Sequence, residues 1–501
     1  MTTGPVYIGL DLGTSSLKGV ALDGFGKLVA SERENYDTAR PAAGRSEQEP
    51  GDWLAAARAV LSRLAAAVPP DSWRGIGLSG MIPTLVTLDE GGEPTGAAIT
   101  WEDSRAHQEA EEIVWQAGAA EVYELTGQPL DGRYLLPMAA WLTRHEPDRM
   151  ARTSVVLGAK DYLFFKLTGH FLTDPSTATG YGCYGLADSG WAAPVAAVAG
   201  VSATTGRPGR PGLPPVVPSA DTRPILPAVA EQLGLPAGLK VSVGAADSVL
   251  AAEALGAVKP GTVAYVWGTS TVILGAASAL TLDPERRCLI TPLAVMGWGV
   301  EMDLVSTGAA VAWLSRLLGF GETGQAEVVA AAAGARDDTV PLALPFVGAG
   351  EQGALWDADV RGTVLGLDLS HGPADVARAV LDGIILESRR CLARLRDLGL
   401  PQGEVRAAWG GVDPWLCQRL ADAAGRPVLV GDPDVASSAA GAARLAALGS
   451  GPALPPAEGG RRYTPDHGRT AEWDRRMAEY DEVLGRLRPF YRAWPPRSRE
   501  W

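Results

Sequence analysis

The strongest constraint on the fold is a strand–turn–strand unit that occurs twice. In IGLDLGTSSLKGVALD, residues 8–23, Ile8, Leu10 and Leu12 alternate with Gly9, Asp11 and Gly13. After the turn Val20, Ala21 and Leu22 form a second apolar run, with Lys18 at its start. Half a chain later AYVWGTSTV, residues 264–272, repeats the form, with Gly268-Thr269-Ser270 standing for Gly13-Thr14-Ser15. A chain that opens both halves on one hairpin reads as a duplicated architecture. One position breaks the likeness: the counterpart of Asp11 is Val266. A carboxylate at the end of a buried strand is costly unless it is paired, hydrated or metal-bound. A small-residue turn beside it leaves backbone N–H groups free to face an anion. Asp11 with the turn that follows fits a metal–phosphate site; it also fits a plain hairpin with an exposed acid. Two such turns on one ligand would hold a polyphosphate from both sides.

A chain of 501 residues is long for one core, so two or three domains are expected. Strand-like and helix-like runs alternate almost throughout, the α/β pattern. Helical periodicity covers 52–67, a strand runs into a turn at 75–80, and 240–256 reads as strand, turn, helix. Residues 207–224, rich in Pro and Gly, read as a surface loop. Residues 403–446 give strand, helix, strand and an Ala-rich helix; 451–468 reads as a linker to an amphipathic helix near 470–492 that packs on the second domain. A net charge of −14 argues against nucleic acid or an anionic membrane as partner. No apolar run reaches the length of a membrane span, and MTTGPVYIGLDLG lacks the basic and apolar segments of a secretory signal. Cys183, Cys288, Cys391 and Cys417 lie far apart without a CxxC pair, which fits reduced thiols in the cytoplasm. The five histidines show no metal-type spacing.

No GxxxxGK[ST] loop is present. GAGEQG, residues 348–353, matches a dinucleotide fingerprint, but ALWDADVRG follows in place of the amphipathic helix that would receive a pyrophosphate. Asp247, in GAADSVLAAEAL, is either a helix N-cap or a carboxylate base at a strand–helix junction. WEDSR places Trp101, Asp103 and Arg105 together, as a sugar site or an exposed turn would. Gly410-Gly411 after EVRAAW either let a flat ring approach the backbone or end a strand.

Together these segments resemble the FGGY carbohydrate kinases. DLGTS with LKG is similar to the family's first phosphate motif, WGTS to its second, GAADS to the segment of the catalytic Asp, and WGG with LADAAGRPV to its adenosine motif. GTVLGLDLSHGPADVARAVLD, residues 362–382, and the preceding LWDADVRG resemble the C-terminal pattern, and the likeness runs from about residue 6 to 447. The resemblance implies an α/β fold of two actin-like (ribonuclease-H-like) domains, 1–250 and 251–501, with an interdomain catalytic cleft. It implies ATP and Mg²⁺ as cofactors. Asp247 would take a proton from a sugar hydroxyl, and Asp11 would hold Mg²⁺ through water. Gly13, Thr14, Ser15 and Lys18 would cradle phosphates with Gly268, Thr269 and Ser270, while Gly410 and Gly411 meet the adenosine. Met81, Ile82, Pro83, Thr84, Trp101 and Asp103 would line the sugar pocket with Asp247.

The implied activity is phosphorylation of a small sugar or polyol, most simply D-xylulose to its 5-phosphate, in the cytoplasm, with a homodimer left open. Gluconate, ribulose or a tetritol is the alternative substrate. A non-catalytic nucleotide or sugar binder, or a chaperone-type or filament-forming ATPase, is the alternative class. Three departures qualify the likeness. Met81-Ile82-Pro83-Thr84 stands where xylulokinase-like members carry Gln-Met-His-Gly and glycerol kinases a Gln-Arg-Glu run, so this wall is less polar. Met138 occupies a position that the family pattern gives to Lys. Val412-Asp413-Pro414 follows Gly-Gly where small polar residues are usual.

Overall fold

The computed structural model describes residues 4–494 except 205, 322, 337–339, 349, 410–412, 433–436 and 456–458. The chain forms two units. The first comprises Met1–Gly256, Ser278–Gly299 and Asp434–Glu458; the second comprises Ala257–Ala277, Val300–Pro433 and Gly459–Trp501. Where the sequence suggests one boundary near residue 250, the chain returns twice to the first unit.

The sheet of the first unit contains β1 (Val6–Leu12), β2 (Ser16–Asp23), β3 (Leu28–Asn35), β4 (Trp73–Gly80), β5 (Thr222–Pro224), β6 (Lys240–Ser242) and β7 (Ala245–Ala246). Their order in space is β5-β6-β4-β1-β2-β3, and β7 also pairs with β4. The second sheet includes β8 (Val263–Trp267), β9 (Thr271–Ala277), β10 (Trp298–Leu304), β11 (Val405–Trp409), β12 (Val428–Val430) and β13 (Arg461–Tyr463), in the order β10-β9-β8-β11-β12-β13. In each sheet the opening strand has an antiparallel hairpin partner on one side (β2 or β9) and a parallel strand on the other (β4 or β11). A further parallel strand and an antiparallel edge strand complete each side. The duplicated hairpin is thus the visible part of a duplicated sheet.

Seven helices cover the sheets or flank the site: α1 (Pro50–Ala67), α2 (Ala159–Thr168), α3 (Asp247–Leu255), α4 (Pro373–Asp397), α5 (Pro414–Ala424), α6 (Ser438–Ser450) and α7 (His467–Ala493). Proline and Asp52 in the first turn suit the start of α1, and Trp53, Ala56, Ala57, Val60, Leu61 and Leu64 form its buried stripe. That stripe shares a core with Ile8, Leu10, Leu12, Ile76 and Leu78. On the opposite side of β1, Tyr7 packs with Ala439, Ala440, Ala443 and Ala447 of α6. A Cβ on Gly9 would lie 1.8 Å from the Ala439 carbonyl oxygen, and one on Gly77 would lie 1.9 Å from that of Ala442. The alternation of Tyr7 and Gly9 with Ile8 and Leu10 along β1 therefore records two different neighbours, an Ala-rich helix in backbone contact and a bulky one.

In the second unit, Trp473, Tyr480, Leu484 and Tyr491 form the buried stripe of α7. Asp382 of α4 is fully buried and accepts from Arg419 Nε at 2.9 Å, with Arg476 Nη2 of α7 at 3.0 Å and Arg378 Nε at 3.3 Å. This carboxylate joins α4, α5 and α7, so the C-terminal helix packs as expected. The loop expected at 207–224 ends in the edge strand β5 and buries Pro211, Gly212, Leu213 and Pro214; the linker expected at 451–468 contains β13. All four cysteines are buried and free of disulfides. Among the described residues no helix is long and apolar enough to cross a membrane.

Candidate active site

Three parallel strand ends build the site in the first unit. In register, Asp11 pairs with Ser79 and Ser79 with Ala245; one residue on, Leu12 pairs with Gly80 and Gly80 with Ala246. The Met81 N–H continues the ladder to the Leu12 carbonyl at 2.9 Å. The next residues along the three strands are Gly13, Met81 and Asp247, all at the carboxyl edge where open α/β sheets bind ligands. Ala246 is the N-cap of α3 and Asp247 its first helical residue, so Asp247 does not fill the cap position. Asp247 is part-exposed, and its Oδ1 accepts from the Ser248 N–H at 2.9 Å. Its negative charge sits at the favourable end of the helix dipole.

Asp11 is part-buried, and Ser79 Oγ donates to its Oδ1 at 2.8 Å. Burial pushes its carboxyl above the ordinary range, against the pull of the Ser79 hydrogen bond and of Lys18, its partner across the hairpin. The turn after it is fixed through its carbonyls. Tyr36 OH donates to Gly13 O, Gln48 Nε2 donates to Thr14 O at 2.6 Å, and the Tyr36 N–H donates to Ser15 O at 3.2 Å. Trp101 Nε1 donates to Thr14 Oγ1 at 2.9 Å. The N–H groups of Thr14 and Ser15 have no acceptor among the described residues. The turn therefore keeps donors available for an anion. Tyr36, Gln48 and Ser79 carry no local motif, and sequence reasoning missed them.

The other residues expected at the sugar divide sharply. Met81 is 2% exposed and packs in the hydrophobic core at the carboxyl end of β4. Thr84 is 1% exposed, with its hydroxyl unpartnered among the described residues. Ile82 and Pro83 are part-exposed. Asp103 is 1% exposed and bonded within the protein. Its Oδ1 accepts from the N–H and Nε of Arg105, both at 2.9 Å, and its Oδ2 accepts from the Ser46 N–H and Arg105 Nη2, both at 2.6 Å. Both oxygens are used inside the protein, and Arg105 continues to Glu47 at 2.6 Å. The segment is thus a buried clamp rather than an exposed turn, with Trp101 its part-exposed aromatic. Met138 is fully buried among apolar side chains, where an ammonium would be poorly solvated.

In the second unit, the turn Gly268-Thr269-Ser270 is one residue shorter between paired strand positions than the first. Gly268 N–H donates to Ser270 O at 2.8 Å, and Thr269 O accepts from the Ala309 N–H at 2.8 Å. Gly308 lies against this turn, where a Cβ would come within 2.1 Å of Gly268 O. The loop before Gly308 is braced by Glu351 of GAGEQG. Its carboxylate accepts from the N–H groups of Val305 at 2.6 Å, Gln352 at 3.0 Å and Ser306 at 3.2 Å. Burial pushes Glu351 up to about 8, against the Val305 hydrogen bond, and Glu387 adds to the rise. Glu351 and Asp357 close a tight hairpin, so no helix follows the motif. Gly410 and Gly411 lie outside the described residues. Asp413 is the N-cap of α5, accepting from Trp415 N–H at 2.8 Å, and Pro414 opens the helix, so the Asp-Pro pair is a helix start; Val412 lies outside the described residues.

Comparison with known proteins agrees with this architecture. Residues 6–254 match the N-terminal domain of the FGGY family of carbohydrate kinases, and residues 263–450 match its C-terminal domain. The xylulose kinase of Escherichia coli (strain K12) is 27% identical over 496 residues, covering 97% of this chain and 99% of that protein. The gluconokinase of Bacillus subtilis (strain 168) is 26% identical over 390 residues, covering 75% of this chain and 74% of that protein. The crystal structure of xylulose kinase from Rhodospirillum rubrum superposes with a TM-score of 0.87 at 29% identity, covering 97% of this chain and 100% of that one. Fold, paired sheets and both family domains coincide along nearly the whole chain, which belongs to the FGGY family of carbohydrate kinases, enzymes that phosphorylate sugars with ATP as the phosphoryl donor.

Proposed function

We propose that this kinase phosphorylates D-xylulose at its 5-hydroxyl, with Asp247 as the general base. Support for the substrate comes from relatives of matching length named xylulose kinase. Support for the mechanism comes from one observation: the register that sets Asp247 level with Gly13, the first residue of the donor-rich turn. Asp247 takes the proton of the attacking hydroxyl at a strand end beside the turn that receives the phosphates. The turn Gly13-Thr14-Ser15 holds phosphate by backbone donors, so that transfer is promoted by positioning and charge neutralisation, and Gly268-Thr269-Ser270 is the second phosphate turn that the family likeness implies. Lys18 adds positive charge beside the first turn, and Gly410 with Gly411 are the proposed approach for adenine.

The first unit fits a divalent cation. Asp11 is a desolvated carboxylate with one oxygen held by Ser79, beside N–H groups that have no acceptor among the described residues. Mg²⁺ retains much of its water and takes one or two carboxylates with phosphate oxygens, so a single acid suits it. When bound, it would neutralise phosphate charge. Ile82, Pro83 and Trp101 form the less polar side of the sugar pocket. Gluconate is the competing substrate, since a gluconokinase lies at similar identity and this wall departs from the xylulokinase-like run.

The test is coupled ADP release with Mg-ATP over D-xylulose, ribulose, gluconate, glycerol and tetritols. The largest kcat/KM is expected with D-xylulose; a preference for gluconate would replace the substrate and keep the mechanism. Asp247→Asn should lower kcat by about 10²–10⁴-fold while ATP still binds. Near-normal turnover in that variant would remove Asp247 from the base role.

A further inference from the structure

Behind Asp247 the first unit holds a buried ionic cluster for which the phosphoryl-transfer chemistry has no use. Lys160 of α2, Asp161 and Asp174 are each 0% exposed. Lys160 Nζ donates to Asp161 Oδ1 at 2.7 Å and to the Val243 carbonyl at 2.9 Å, and pairs with Asp174 Oδ1 at 3.3 Å. Asp174 Oδ2 accepts from Ser176 Oγ at 2.5 Å, the Ser176 N–H at 3.0 Å and Ser219 Oγ at 3.1 Å. Ser176 Oγ in turn accepts from the Ala246 N–H at 2.9 Å. On the far side, Tyr181 OH donates to Asp161 Oδ2 at 3.0 Å.

The stretch that ends at Asp247 is therefore gripped twice. Lys160 holds the carbonyl of Val243, and Ser176 holds the N–H of Ala246, the residue immediately before the carboxylate. The grip is tight: a Cβ on Gly80, level with Ala246, would come within 2.8 Å of Lys160 Cβ. Burial alone would push the Lys160 ammonium toward neutrality; Asp161 and Asp174 outweigh it, so the group stays charged. Taking such ions out of water costs several kcal/mol each, and well-packed apolar residues would often serve stability as well. The cluster fixes backbone geometry at one place, and that place adjoins the base. Productive transfer needs reacting atoms about 3–3.5 Å apart, and a displacement of about 1 Å can cost 10²-fold.

We infer that Lys160, Asp174 and Ser176 are positioning residues for the Asp247 carboxylate, an inference that rests on the reading of Asp247 as the base. Ser176→Ala deletes the acceptor for Ala246 and the hydroxyl donor to Asp174, which keeps Ser219 Oγ and the residue 176 N–H. Measured with Mg-ATP and the best sugar of the panel, kcat should fall by about 10- to 100-fold with KM for ATP unchanged. Ser176→Thr, which retains the hydroxyl, should recover most of that loss. Lys160→Met should show the same split between kcat and KM, and carries the test if Ser176→Ala fails to fold. Wild-type kcat in both folded variants, beside an inactive Asp247→Asn, would overturn the positioning role and leave the base in place. Failure of Ser176→Thr to recover activity, or a rise in KM for ATP matching the loss, would equally overturn it. Turnover by Asp247→Asn would instead overturn the reading beneath it.

Discussion

Glu351 shows how a single residue can bind pH to stability. An ordinary glutamate titrates near 4.5, whereas burial moves this one up to about 8. Between those values the folded chain holds a proton that the unfolded chain has released, so stability falls as pH rises. The group's contribution is complete below the lower value and is lost through the upper one. Glu351→Gln, which cannot ionise, should flatten this dependence. Between about pH 5.5 and 8.5 the unfolding free energy of the wild type should drop relative to the variant by on the order of 3 kcal/mol in urea titrations. Parallel curves would mean that Glu351 is charged in the fold. The sequence does not point to this residue, because GAGEQG looks like a nucleotide loop and its brace of Val305 and Ser306 spans more than forty positions. Asp11 and Asp247 were legible because each stands inside its own local motif. Tyr36 and Gln48 were not, since their contacts with the turn at Gly13 and Thr14 are made 23 and 34 residues away.

Elements are legible where periodicity is local and obscure where a partner decides. The stripe of α1 announces both a helix and its buried face, and the Gly-Thr-Ser hairpins announce their strands. Gly9 of β1 and Gly77 of β4 read as weak strand residues until α6 is laid on them, whereupon each is the residue whose missing side chain lets the helix backbone approach. Gly77→Ala would push a Cβ to 1.9 Å from the Ala442 carbonyl oxygen, part of a helix backbone that has no rotamer to change. The loss should be about 3 kcal/mol or more, seen as a lower urea midpoint. Gly51→Ala makes the contrasting case. Nothing lies within 4 Å of a Cβ there, and the position is helical, so stability should hold or rise by up to about 1 kcal/mol. Equal behaviour of the two variants would mean that α6 does not seat on β4 as closely as the backbone distances require.

At the scale of the molecule, the order of the chain and the order of the folded units differ. The Ala-rich pattern at 438–450 specifies a helix, but helical period carries no address, and its neighbours in sequence belong to the second unit. In the structure α6 covers Tyr7, Val20, Leu22 and Ala254 of the first unit and fills the space opposite Gly9 and Gly77. The first unit is therefore incomplete until α6 has been made. Residues 1–256 alone would expose that apolar face and lose the packing of α6 against β1 and β4. This fragment should bind a hydrophobic dye and unfold without a sharp transition, whereas joining residues 437–455 to its end through a flexible linker should restore cooperative unfolding in urea. The helix is small and its contacts are mostly alanine, so the comparison measures close backbone fit against the sheet face rather than bulk apolar area. A fragment of residues 1–256 that unfolds as sharply as the joined chain would place the stability of the first unit in the α1 face alone, and would make α6 a late addition to a core already complete.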